Sequence, residues 1–144
     1  MKSVKKFCKK FGVKAKPDID FQAIIETNRI GYNFGQDNLD EFYDYILNMY
    51  PDIKASIWTW ALLHEIGHLK TKQYIVKGLS SYIHQKIDRL EIPTKMHHYD
   101  PDEVIATHWA AKYIKNHKKE IKKFEKKLRA RLGEKIWNMY VDTE

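Results

Sequence analysis

The chain has 144 residues and a mass of 17.2 kDa, the size of one folding unit with one core and one principal site. Its 43% hydrophobic and 13% aromatic residues against 31% charged exclude wholesale disorder, and no apolar run is long enough to span a bilayer. The single cysteine, Cys8, excludes an internal disulfide and a cysteine-built zinc cage. Residues 1–16 lack the apolar block of a secretion signal, so a soluble, cytoplasmic protein is expected. The net charge of +7 is uneven: residues 1–16 carry seven Lys and no acid, and residues 115–135 carry ten basic and three acidic side chains.

In chain order, Val4, Phe7, Cys8 and Phe11 recur at helical spacing, so the basic N-terminal segment 1–16 is predicted to start as an amphipathic helix docked on the core. Ala23-Ile24-Ile25-Glu26 and Ile30-Gly31-Tyr32-Asn33-Phe34 flank Thr27-Asn28-Arg29, the pattern of a hairpin. Asn38 followed by Glu41 reads as a helix cap with its reciprocal acid. Leu39, Phe42, Tyr43, Ile46, Leu47 and Tyr50 then keep helical spacing until Pro51 stops it. A second helix is expected from about Asp52 to Thr71, and a third from about Asp100 into the Lys-rich tract, ending at Gly133. In the connection between them, Ser80 can cap a short helix bearing Ile83, Ile87 and Leu90, which Pro93 ends. No repeat or linker divides residues 1–144, so the expected fold is a single α+β domain, mostly helical with a small antiparallel sheet or hairpin.

Ile114, Ile121, Phe124 and Leu128 lie on one side of the Lys-rich helix spanning 115–132, which favours core packing with a wet basic outer face. Contact with nucleic acid through that face is the other reading, and it is not the favoured one.

The feature that carries chemistry is His64-Glu65-Ile66-Gly67-His68, an H-E-x-x-H pattern inside a sequence that reads as helix on other grounds. Four residues advance a helix by about 400°, so the two imidazoles leave one face a turn apart and can share one metal ion. Glu65 lies about 100° round the helix, placed to take a proton from water rather than to ligate. Chance gives this pattern in a chain of such composition roughly 2% of the time. Leu62, Ile66 and Leu69 form an apolar stripe that fixes the helix on its other side, Ile57 and Ala61 offer the metal a dry wall, and Gly67 admits close approach by another backbone.

A catalytic zinc takes three protein ligands and keeps a position for water, so a third ligand is required. The metzincin continuation is excluded because Thr71 and Tyr74 occupy the places of its Gly and third His. Glu103 is the favoured candidate. Asp100 and Pro101 mark a helix start just before it, and Ala106 and Ala110 share its face and would let this helix pack closely on the His64/His68 helix. Its alternative role is a capping acid, and His84, His97, His98 and Asp102 are the rival ligands. A zinc site between the H-E-x-x-H helix and the following helix is therefore expected.

Together with Glu103-Val104-Ile105-Ala106-Thr107-His108-Trp109-Ala110, the first motif resembles the ImmA/IrrE-type, gluzincin-like metallopeptidases, which pair H-E-x-x-H with a later E-x-x-A-x-x-[F/W]-A helix. The resemblance covers roughly residues 52 to 115. It implies Zn2+ held by His64, His68 and Glu103, Glu65 as the catalytic acid/base, and a protein or peptide substrate such as a helix-turn-helix repressor. Two differences stand out: Thr107 replaces the Asp or Asn that often orients a ligand histidine, and Lys70-Thr71-Lys72-Gln73 replaces an apolar run. The implied reaction is peptide-bond hydrolysis, with the Ile30 to Phe34 strand expected as the substrate-binding edge and Tyr74, Tyr82, His97, His98 and Tyr99 as alternative oxyanion donors. The different class of function is a zinc-stabilised regulatory or nucleic-acid-binding protein without proteolysis.

Overall fold

The Lys-rich start folds as α1 (Lys2–Lys9), with Val4, Phe7 and Cys8 buried and its lysines in water. The structure, a computed structural model, describes residues 1–71 and 101–140. Phe7 stacks on Phe124 and Phe11 meets Trp109 edge-on, so the amphipathic spacing serves core docking as expected. Burial pushes the Cys8 thiol from its ordinary 9.0 up to about 12. The unfolded chain thus releases this proton first, and stability falls as pH rises from 9.0 toward about 12. Native Cys8 should resist iodoacetamide near the thiol's ordinary pKa and react once the chain is denatured; equal labelling rates in both states would contradict its burial.

Three strands follow: β1 (Lys14–Pro17), β2 (Gln22–Ile24) and β3 (Arg29–Tyr32), in the order β1-β3-β2. β2 and β3 form the expected antiparallel hairpin, Ala23 opposite Ile30. Ile25 and Glu26 belong to its turn rather than its strand, and Asn28 closes the turn at φ 50, a left-handed conformation that asparagine tolerates. β1 carried no sequence signal, because Ala15 is its one buried residue, and it pairs parallel to β3 with Ala15 opposite Ile30. Pro17 is accommodated because β1 is an edge strand, where a missing N–H breaks no ladder. β3 is therefore central and paired on both sides, which removes the Ile30–Phe34 strand as a free edge; among the described residues the edge strands are β1 and β2.

α2 (Asp40–Met49) turns Phe42, Tyr45 and Ile46 inward. The expected Asn38–Glu41 cap does not form: Leu39 is the cap residue, and Asn38 Oδ1 instead accepts from Gln36 Nε2. The Tyr140 hydroxyl accepts from the Leu39 N–H and donates to the Gln36 carbonyl, so a distant aromatic does the tethering that a local cap was expected to do.

α3 (Ile57–Thr71) begins later than Asp52 because its start is set by tertiary contacts. Ser56 Oγ accepts from the Trp58 N–H, while the Glu125 carboxylate accepts from the Ser56 N–H at 2.8 Å and from the Thr59 hydroxyl. An anion at a helix N-terminus also complements the helix dipole. The expected single third helix is two, α4 (Pro101–Asn116) and α5 (Lys118–Leu132), followed by the short α6 (Glu134–Trp137). The break falls at His117 (φ −133, ψ 41), whose ring stacks on Tyr113 at 3.9 Å and whose Nδ1–H donates to the Tyr113 carbonyl. No Gly or Pro marks it, and the apolar repeat from Ile114 to Ile121 runs straight through. Gly133 ends α5 at φ 86, as expected.

The architecture is α+β, mostly helical with a three-stranded sheet. Its tightest crossing joins α3 to α4 at Gly67, where an added Cβ would lie 2.6 Å from the Ala106 carbonyl oxygen. Among the described residues no helix is long and apolar enough to cross a membrane. The short helix expected around Ser80, Ile83, Ile87 and Leu90 lies outside the described residues, as does Asp100.

Candidate metal centre

α3 presents His64 and His68 one turn apart, and α4 brings Glu103 to them across the Gly67–Ala106 crossing. Glu103 Oε2 lies 2.6 Å from His64 Nε2 and 3.0 Å from His68 Nε2, and the two Nε2 atoms are 3.1 Å apart. The Glu65 carboxylate belongs to the same group, with one ligand atom each from His64, Glu65 and His68 within 4.8 Å of one another. These three residues can hold a metal ion. Between Glu103 and Glu65, Glu103 is the one within hydrogen-bond reach of both rings. Asp102 Oδ1 accepts from the Glu103 N–H, so the rival acid serves α4 itself while the Glu103 carboxylate points across to α3.

The Thr107 hydroxyl donates to the Glu103 carbonyl at 2.9 Å, so at 2.8 Å it accepts from His64 Nδ1–H. That fixes the tautomer and leaves the His64 Nε2 lone pair facing Glu103 and His68. Burial opposes charge on His68, but the hydrogen bond and charge of Glu103, with Glu65 and Asp102, overcome it and push this ring up to about 9. A proton on His68 Nε2 serves Glu103 Oε2 at 3.0 Å but leaves the lone pairs of His64 Nε2 and Glu103 Oε2 facing each other at 2.6 Å, an opposition that a cation would relieve. A metal ion would take that proton's place. Donor atoms about 2.0–2.2 Å from a tetrahedral ion stand about 3.3 Å apart, so this triangle needs to spread by less than an ångström. The donor set fits.

Glu65 is half-buried on the wall of a cleft of about 410 Å³ that also exposes His64, His68 and Glu103. Burial pushes its carboxyl upward, the His64 and His68 charges pull it back, and Glu103 raises it again. Phe21, Gln22, Ala23 and Ile25 line the opposite wall, which places β2 along the cleft. Phe42 closes the back, its ring 5.1 Å from that of His64, and Ala61 supplies part of the expected dry wall. Ile57 is buried in the core.

No family model, curated protein or solved structure gives a significant match to this chain.

Thr107 is the supporting residue that sequence reasoning marked as a difference without giving it a role. It is buried and bonds both ligand-bearing elements. A Thr107→Val protein keeps the shape but leaves the His64 Nδ1–H without that acceptor, and should bind a divalent ion about 10–100-fold more weakly. Competition with a chromophoric chelator measures this, and unchanged affinity would show that the hydroxyl does not orient the ring. His84, His97, His98, Tyr74, Tyr82 and Tyr99 lie outside the described residues.

Proposed function

We propose that the protein is a zinc metallopeptidase that hydrolyses peptide bonds, with His64, His68 and Glu103 holding the ion and Glu65 as general base. The observation that carries this reading is the convergence of two Nε2 atoms and a carboxylate oxygen within 3.1 Å, beside a second carboxylate, in an open cleft. Two histidines and one glutamate are a donor set suited to zinc, and structural zinc sites are closed whereas catalytic ones stay accessible. The motif resemblance to ImmA/IrrE-type gluzincins supports the same reading and suggests a regulatory protein, such as a helix-turn-helix repressor, as substrate.

Zinc held by His64, His68 and Glu103 would supply Lewis acidity toward a carbonyl and make water more acidic. The chain supplies the rest. Glu65 takes a proton from the attacking water and delivers it to the leaving amine, and its raised pKa suits both halves of that transfer. Thr107 keeps the His64 lone pair aimed at the ion. β2, an edge strand among the described residues, offers backbone groups to an extended peptide, which adds as a further strand beside Glu65.

The test is zinc content and cleavage of a fluorescence-quenched random peptide library by the full chain. One zinc per chain, lost in His64→Ala, with cleavage abolished by a chelator and restored by zinc, is the expected result. A chain that holds no zinc, or cleavage indifferent to chelation, would overturn the proposal.

A further inference from the structure

The two lysine-rich ends of the chain, remote in sequence, lie side by side in the fold. α1 packs on α5 through the Phe7–Phe124 stack, ring centroids 4.1 Å apart. Between the helices runs a groove of about 360 Å³, edged by Lys6 and Lys10 on one side and by Lys119, Lys123 and Lys127 on the other. These five lysines are exposed. The three on α5 are four residues apart and form one row, with neighbours about 6 Å apart along the helix axis. That is close to two phosphate steps of a duplex strand, about 7 Å along its axis. Among the described residues the groove's one acid, Glu120, is engaged by Lys10 and by the Tyr113 hydroxyl.

We propose that this groove binds the phosphate backbone of duplex nucleic acid, independently of sequence. Like charges gathered on two helices create a field that attracts a polyanion. The details of the groove select the form of that polyanion. Phe7 and Phe124 are 2% and 6% exposed and stacked on each other, so neither ring is free to stack on an unpaired base as single-strand binders require. Among the described residues no arginine lines the groove, so these offer no guanidinium fork for reading guanine edges; lysine, a compact point charge, suits phosphate. A lipid surface fits less well. Among the described residues the exposed large apolar side chains are Ile19, Ile25, Leu47, Met49 and Met139, and none lies on α1 or α5 to insert into a bilayer. The groove is built by helices other than those that carry the metal centre, so this binding does not depend on the peptidase reading.

Fluorescence anisotropy of the full chain with a fluorescein-labelled duplex of mixed sequence, titrated at increasing KCl, tests the proposal. The wild type should bind at low salt, with log affinity falling linearly against log salt. The triple variant Lys119→Gln, Lys123→Gln, Lys127→Gln should bind about 10²-fold more weakly at about 0.1 M salt and lose about one unit of slope per lysine. The charge-matched variant Lys14→Gln, Lys16→Gln, Lys112→Gln should change little, with far-UV circular dichroism confirming that both variants fold. Absence of duplex binding at low salt, equal losses in the two triple variants, or binding to phosphatidylserine vesicles but not to duplex would each overturn it.

Discussion

A Gly67→Ala protein is expected to unfold about 5–10 °C below wild type and to lose much of its metal affinity. The sign is the informative part. Within a helix, glycine to alanine ordinarily stabilises by about 0.5–1 kcal/mol. Here the new methyl would lie 2.6 Å from the Ala106 carbonyl oxygen and 3.2 Å from its Cα, and these are backbone atoms that cannot swing aside as a side chain can. α3 and α4 must separate, at about 1–3 kcal/mol. The separation has a second consequence, because His64 and His68 ride on one of these helices and Glu103 on the other. Glu103 precedes Ala106 by three residues, less than one helical turn, so a shift at the crossing is transmitted to the carboxylate. Differential scanning calorimetry with and without zinc reads both effects. A variant more stable than wild type would show that the helices are not in contact at this point.

On the peptidase proposal, a Glu65→Gln protein should still bind zinc and lose about 10²–10⁴-fold in cleavage rate. The amide has nearly the same shape but accepts no proton from water, so the substitution separates binding from chemistry. It also separates the roles of two carboxylates. Glu103 touches both imidazoles and Glu65 is the neighbour within the same group, so Glu103→Ala should shed the metal and Glu65→Gln should not. Zinc analysis paired with single-turnover cleavage of one library peptide decides the matter. Loss of zinc in Glu65→Gln would make Glu65 a ligand, and undiminished cleavage would remove it as the base.

The meeting of His64, His68 and Glu103 was legible in the sequence because helical geometry converts spacing into direction. Four residues put both rings on one face, and Gly67, Ala106 and Ala110 announced a close helix crossing before any coordinates did. Features that depend on partners far along the chain were not legible. The α3 start is held by Glu125 from α5, and Leu39 is met by Tyr140, so the helix start expected at Asp52 and the local cap expected at Asn38 pointed to the wrong places. β1 buries one alanine between lysines, too little for alternation to register, yet its pairing makes β3 central and leaves β2 as the edge strand along the cleft. The break at His117 leaves the apolar repeat intact, so periodicity was blind to it. Thr107 departs from the residue types expected to support a ligand histidine, and its role emerges only from the two hydrogen bonds it makes. Each basic end by itself reads as a solvated helix face; that the two ends border one groove is a property of the tertiary fold.

Zinc K-edge X-ray absorption on the full chain loaded with one equivalent of zinc tests the ligand set most directly. Two imidazole nitrogens and a carboxylate oxygen at about 2.0–2.2 Å, with the oxygen contribution reduced in Glu103→Ala and an imidazole lost in His68→Ala, is the predicted result. A wild-type spectrum without imidazole scattering, or one unchanged by both substitutions, would contradict it.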